Sequence, residues 1–300
     1  MIYTVTFNPA IDYVMHTPSL TPGAVNRSKS EEIYFGGKGI NVSLVLKELG
    51  VTSKALGFTA GFTGEAIEKG LEKMGLDTDF VHLKEGSSRI NVKIKGGAET
   101  ELNGTGPDIS EADVKKLLEK LVLLKEGDTL VLAGSIPPSL PPNIYEQILS
   151  ALSGRGVRFV VDASGELLVN VLKYEPFLIK PNKDELSEIF RAPVHTDEEI
   201  EKYALQLREM GALNVLVSMA GEGALLLDGS GRLHRAPAHK GEVKNSVGAG
   251  DSMVAGFIAG YLESGSYSHA LTLGTAAGAA TAFSDGLATI DSINALLTKE

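Results

Sequence analysis

Residues 247–257 read VGAGDSMVAGF, and the reading of this stretch decides the fold. Gly248 and Gly250 flank Ala249, Asp251 follows, and the apolar run from Ser252 has a helical pattern. Glycine lets a backbone approach a ligand closely and adopt positive φ. A helix beginning near Ser252 points its unpaired N–H groups back at that loop, which makes an anion site. The plain alternative is a glycine turn in which Asp251 caps the helix. The stretch alone leaves both open.

Outward from this loop, short β-type runs alternate with helical patterns, the mark of an α/β protein. Strands are expected at 2–7, 53–58, 78–83, 129–133, 157–161, 176–180, 213–218 and 223–228. Helices are expected at 39–49, 63–74, 111–124, 143–153, 183–190, 197–210, 252–263, 267–283 and 290–298. Ser110 with Asp113 and Thr196 with Glu199 are spaced as helix-start capping pairs. Residues 13–35 and 88–104 break the alternation and read as strands without helices, with a hairpin across Gly96–Gly97. The expectation is one domain over residues 1–300, with these two segments forming a small β-lid. Open parallel sheets bind ligands at the carboxyl ends of their strands. The unusual residues fall there: Asn8 to Asp12, Gly134–Ser135, Asp162, Lys180 to Asn182, and Ser218.

Composition narrows the function. The 300 residues carry a formal net charge of -10, which argues against a nucleic-acid partner but not against small anions. With no cysteine there is no disulfide framework and no thiolate chemistry. The N-terminus lacks a signal-peptide pattern, and 269–283 is too short to cross a membrane. A soluble, cytoplasmic protein is expected. No window matches the P-loop, and Met253 stands where a dinucleotide fingerprint needs its third glycine.

Five further stretches bear on chemistry. In YFGGKGINVSLVLKELG (34–50), Lys38 and Asn41 fall at a helix start, where a lysine opposes the helix dipole unless an anion lies between them. In KPNKDEL (180–186), Asn182 and Glu185 are spaced to face one ligand, suiting water-mediated Mg²⁺, or else form a plain capping box. SMAGEGALLLD (218–228) is a nucleotide loop or a glycine hairpin. Asp12 can accept from sugar hydroxyls, and the Arg89 fork suits a phosphate.

The order of these stretches resembles the ribokinase-like, phosphofructokinase-B family of carbohydrate kinases. GGKGINV (36–42) is similar to the family's first signature, VGAGDSMVAGF to its second, and KPNKDE to the Asn-x-x-Glu metal motif between them. The likeness covers nearly the whole chain. It implies a three-layer α/β/α sandwich with a mostly parallel sheet and a small β-sheet lid. NPAID, GGKGIN, SRINVK and AGSIPPSL are similar to the sugar-phosphate kinases within the family.

The resemblance implies ATP-dependent phosphorylation of a sugar phosphate, fructose 1-phosphate first, with tagatose 6-phosphate or fructose 6-phosphate as alternatives. Asp251 would take the hydroxyl proton, its pKa held low by the helix start. The N–H groups of Gly248, Ala249, Gly250 and Asp251 would hold the transferred phosphoryl group. Asp12, Gly37, Lys38, Asn41, Arg89, Asn91 and Ser135 would bind the sugar phosphate, Lys38 and Arg89 clamping its phosphate. Lys180, Asn182, Ser218, Met219, Ala220, Gly221, Glu222, Gly223 and Gly250 would bind ATP. Asn182 and Glu185 would hold Mg²⁺ through water. The lid's edge strands suggest a homodimer. Asn245-Ser246 departs from the family's usual Asp-Thr, which leaves a potassium requirement open.

Overall fold

The computed structural model describes residues 1–298. Its main sheet is laid out by β1 (Ile2–Thr6), β4 (Ser53–Ala60), β5 (Asp77–Thr78), β6 (Val81–Leu83), β9 (Thr129–Ala133), β10 (Arg158–Asp162), β11 (Leu178–Ile179), β12 (Val215–Ser218), β13 (Ala224–Leu227) and β14 (Leu233–Ala236). The order is β14-β13-β12-β11-β10-β9-β1-β4-β5, with β6 also on β4. Pairing is parallel from β12 to β4 and antiparallel at β13 and β14.

The strands are apolar on both faces because helices cover both. Leu130, Leu132, Val161 and Val217 pack under α3 (Glu111–Leu121), α4 (Ile144–Leu152), α5 (Gly165–Val171), α6 (Lys183–Phe190) and α7 (Asp197–Glu209). Val131, Val160 and Leu216 face α1 (Lys38–Glu48), α8 (Ala249–Ser264), α9 (Tyr267–Ala282) and α10 (Ile290–Leu297). This is the three-layer sandwich expected.

The expected 78–83 strand is two short pieces, and 176–180 shrinks to two residues. Helix α5 and strand β14 went unexpected: α5 is short and ends in valines, and β14 is a polar edge strand. The Thr196–Glu199 capping box is present, while at α3 the Ser110 hydroxyl accepts from the Asp113 N–H.

The segments expected to stand apart form a second sheet, β3-β2-β7-β8, from β2 (Ala10–His16), β3 (Ser30–Gly36), β7 (Arg89–Gly96) and β8 (Ala98–Asn103). β7 and β8 turn at Gly97, as expected. This sheet is anchored through Ile11 and Phe35, which join a core with Ile40, Leu44, Ile67 and Leu71 from α1 and α2 (Gly61–Lys73). The fit at Gly70 is exact in shape: a Cβ there would fall inside the Phe35 ring.

Gly70→Ala is therefore expected to push Phe35 out of its seat and cost about 1–3 kcal/mol, the usual range for overpacking. Thermal unfolding of the purified variant checks this; an unchanged midpoint would show that Phe35 does not anchor the small sheet.

Candidate active site

The parallel strands β1, β9, β10, β11 and β12 end side by side, and the N-termini of α1 and α8 meet over them. Glycine makes this possible. The first turn of α1 lies directly on β1: the Ile40 N–H donates to Thr6 Oγ1 at 3.0 Å, and a Cβ on Gly39 would sit 2.7 Å from both that oxygen and the Val5 carbonyl. α8 begins at Gly248, which caps it at φ 81, three residues earlier than the sequence suggested. Asp251 is thus not the cap. It is the third residue of the helix, buried at 4 % exposure, and Asn41 Nδ2 donates to its Oδ2 at 2.8 Å.

Near Asp251 lies an ion cluster, buried at Asp162 and Lys180 and half-exposed at Lys38. Asp162, at the end of β10, is 99 % hidden from solvent. Lys38 Nζ lies 3.3 Å from its Oδ2 and Lys180 Nζ 3.2 Å from its Oδ1. The Lys180 contact is an ion pair by distance without hydrogen-bond alignment, so Asp162 Oδ1 keeps an open acceptor. Burial opposes the charge on Asp162, but Lys180 and Lys38 outweigh it and hold its carboxyl below the usual range. Burial likewise opposes the charge on Lys38, yet Asp162, Asp251 and Glu185 leave its pKa raised. The Lys180 ammonium also rests against Gly250, whose Cβ would sit 3.1 Å from Nζ. Sequence reading noticed Asp162 at a strand end but gave it no role. The signal was an acid closing the apolar run FVV (159–161) at the end of a strand.

The low pKa expected for Asp251 is overturned. Burial and the negative charge of Asp162 push it up to about 7, against the opposing pull of the Asn41 hydrogen bond, Lys38 and Lys180. The helix start is outweighed because the side chain is desolvated. The Ala249 N–H is engaged by the Ser246 carbonyl at 3.2 Å, which removes it from the expected anion hole. The N–H groups of Gly250 and Asp251 have no backbone acceptor among the described residues.

A model of the pfkB family of carbohydrate kinases matches residues 5–293. The chain is 50% identical over 297 residues to 1-phosphofructokinase of Bacillus subtilis, covering 99% of this chain and 97% of that protein. It is 41% identical over 296 residues to D-tagatose-1-phosphate kinase of Bacillus licheniformis, covering 98% and 96%. The structure of Escherichia coli phosphofructokinase-2 in complex with substrates and products superposes with a TM-score of 0.93 at 28% identity, covering 99% of this chain and 98% of that one.

This chain belongs to the pfkB carbohydrate kinase family.

In this pfkB chain Asp12 is held by Asn91, whose Nδ2 donates to Oδ1 at 2.8 Å. Asp12 and Asn41 both face Gly36, where a Cβ would lie 3.6 and 3.5 Å from their oxygens. They line a cleft of about 540 Å³ between the small sheet and the body. Arg89 Nε donates to the Asn8 carbonyl at 3.0 Å, and burial lowers its pKa against the pull of Asp12. The anions facing Lys38 are Asp162, Asp251 and Glu185, and the anion facing Arg89 is Asp12. Gly37 caps α1, and Ser135 is exposed on the loop after β9.

Asn182 and Glu185 do form a capping box, each side chain bonded to the other's backbone N–H at 2.8 Å. Only one Glu185 oxygen is used, so the plain and the metal readings coexist. Asn182 also pairs with Ser218 in an isolated parallel bridge. From Met219 to Gly223 the chain makes a tight turn into β13: Met219 N–H donates to the Gly223 carbonyl at 2.9 Å, Gly221 sits in open space, and Lys183 pairs with Glu222 at 2.8 Å. Ala220 holds φ 47 there, a left-handed conformation that costs energy without glycine.

Since a base acts only when ionised, kcat/KM is expected to rise with pH through an apparent pKa near 7 and to fall tenfold per unit well below it. Asn41→Ala removes a bond to the charged form, so the limb is expected to move to higher pH. Steady-state pH profiles of the two proteins check both; a profile flat from pH 6 to 8 would count against Asp251 as the base.

Proposed function

We propose that this chain transfers the γ-phosphoryl group of ATP to a hydroxyl of fructose 1-phosphate, giving fructose 1,6-bisphosphate. The observation that carries the reading is Asp251, a buried carboxylate with a proton affinity near neutrality at a helix N-terminus. The names of the two curated relatives support a ketohexose already phosphorylated on C1, so tagatose 1-phosphate joins tagatose 6-phosphate and fructose 6-phosphate as alternatives.

The roles follow from charge. Asp12, steadied by Asn91, accepts from sugar hydroxyls and sets the ring over Asp251. Asn41, Gly37 and Ser135 complete the sugar's surroundings, and Arg89 adds a cation at the base of the small sheet. Asp251 orients the attacking oxygen and takes its proton as the new P–O bond forms. Phosphoryl transfer relies on positioning and charge stabilisation. The N–H groups of Gly248, Gly250 and Asp251 meet the moving charge, and Lys38 and Lys180 neutralise it from below. Lys38 thus serves the transferred phosphoryl rather than the acceptor's own phosphate.

The turn at 218–223 carries the nucleotide. The donor set fits Mg²⁺ bound through water: Glu185 keeps one free oxygen, Asn182 has a second lone pair, and Glu185 is among the anions that Lys38 feels. When bound, Mg²⁺ would neutralise the ATP phosphates. We further propose that the small sheet acts as a lid. Two copies of the chain would pair through this sheet, where Ile33, Ile90 and Leu102 are exposed. A cytoplasmic location suits a cysteine-free chain using ATP and a sugar phosphate. Among the described residues no helix is long and apolar enough to cross a membrane.

A coupled ADP-release assay on the four sugar phosphates is expected to favour fructose 1-phosphate. Equal and negligible rates on all four would refute the kinase reading. Asp251→Ala is expected to lower kcat by about 10²–10⁴-fold, the usual contribution of a general base. ATP affinity, measured by calorimetry, should stay within about threefold, because its contacts lie elsewhere. Unchanged turnover would instead leave a non-catalytic sugar-phosphate sensor.

A further inference from the structure

The first turn of α8 has little of its own to hold it in place. Its N–H groups lack partners within the helix, as at any helix start. Gly248 caps it by conformation alone, with no side-chain hydrogen bond. Gly248 and Gly250 have no side chains to pack, and glycine has the widest backbone freedom. Something outside the helix must fix where these N–H groups point.

Two contacts from one place do so. Leu287, half-buried in the connection between α9 and α10, reaches the cap: a Cβ on Gly248 would sit 2.7 Å from Leu287 Cδ2. The next atoms such a Cβ would meet are Asn41 Nδ2 at 3.6 Å and Thr281 Cγ2 at 3.9 Å. Leu287 is itself anchored, because it packs both on the core beneath α8 and α9 and on the core that seats the small sheet. Beside it, the Ala288 N–H donates to Thr281 Oγ1 at 2.8 Å, and Thr281 shares a hydroxyl hydrogen bond of 2.7 Å with Ser252. Ala288, Thr281 and Ser252 are all buried. Gly248 and Ser252 bracket Gly250 and Asp251, so residues 287 and 288 brace the turn at both ends. Leu287 also lines the cleft that holds Asp12 and Asn41, which puts it between the acceptor and the N–H groups.

We propose that Leu287 is a positioning residue for phosphoryl transfer. Its side chain bears on Gly248 and holds the N–H groups of Gly248, Gly250 and Asp251 where charge develops on the transferred group. The inference rests on the kinase reading and adds a residue to it. An aliphatic side chain suits the task, since it packs against backbone without competing for those N–H groups.

The test is steady-state kinetics of the full chain and of L287A, L287V, L287M and L49A. L287A is expected to lower kcat about tenfold to a hundredfold and L287V at least about fivefold, the scale on which a small misplacement costs rate. In both, KM for ATP and for fructose 1-phosphate should stay within about threefold, the mark of a loss confined to the transition state. Inhibition by ADP with aluminium fluoride, which imitates the transferred phosphoryl group, should weaken by the same factor as kcat. L287M keeps the reach of the side chain, and its kcat should stay within about threefold. Leu49, half-buried at the far end of α1, is the control: L49A should lose stability with kcat within about twofold. A kcat within about twofold of wild type in folded L287A would overturn the assignment, and L287V decides if L287A does not fold. A raised KM for fructose 1-phosphate at unchanged kcat would make Leu287 a wall of the cleft only and overturn it too, as would an equal kcat loss in L49A. Wild-type enzyme idle on every sugar phosphate would overturn the kinase reading itself, a result read without any variant.

Discussion

Two carboxylates and Lys180 are shut off from water, Lys38 reaches them from a half-exposed position, and the site depends on how these charges are balanced. Asp162 is the pivot. Alone at the end of β10 it would be an uncompensated buried anion, which is costly. Lys38 from α1 and Lys180 after β11 neutralise it, so the carboxylate stays ionised. Once charged, it raises the proton affinity of Asp251. On the kinase reading proposed above, the cluster fixes two lysines where a phosphoryl group would be neutralised. It also tunes the carboxylate that would serve the acceptor hydroxyl as base. Separating these jobs would require a second buried cation pair, at further desolvation cost.

The glycines follow from that balance. Charges this close to two helix starts need backbone, not side chains, around them. Gly250 leaves room for the Lys180 ammonium, and Gly39 lets α1 lie on β1 so that Lys38 and Asn41 reach inward. Asn41 then spans the two helices, with its amide on Asp251 and its oxygen beside Gly36, across from Asp12. One side chain thus links Asp251, the proposed base, to Asp12 on the small sheet. A shift of that sheet would be felt at Asp251.

Much of this was legible in the sequence, and the reasons differ by residue. The glycine loops, the out-of-place Lys38 and the Asn-x-x-Glu spacing are local signals, and each landed at the carboxyl end of the parallel sheet. The small sheet was legible as a break in the strand–helix alternation. Asp251's ionisation was not legible. A helix start alone argues for a low pKa, whereas the answer depends on burial and on Asp162, a residue from a different strand. Local rules also misplaced the start of α8, because Gly248 at φ 81 caps the helix with backbone conformation rather than with a side chain.

The division of cations has a consequence for selectivity. Lys38 stands at the start of α1 and Lys180 just after β11, and both reach Asp162 within 3.3 Å. Arg89 stands on the small sheet, which joins the body through Ile11 and through Phe35 in its glycine seat. On the reading proposed above, phosphoryl transfer belongs to the body, while the acceptor is held by the small sheet as well. An acceptor that engages both sheets can draw the small sheet toward the body, excluding water from the transferred group. A free sugar, lacking the phosphate, would leave Arg89 unengaged and the site wetter. Discrimination is then expressed partly in how well the site closes, not only in how tightly the sugar binds.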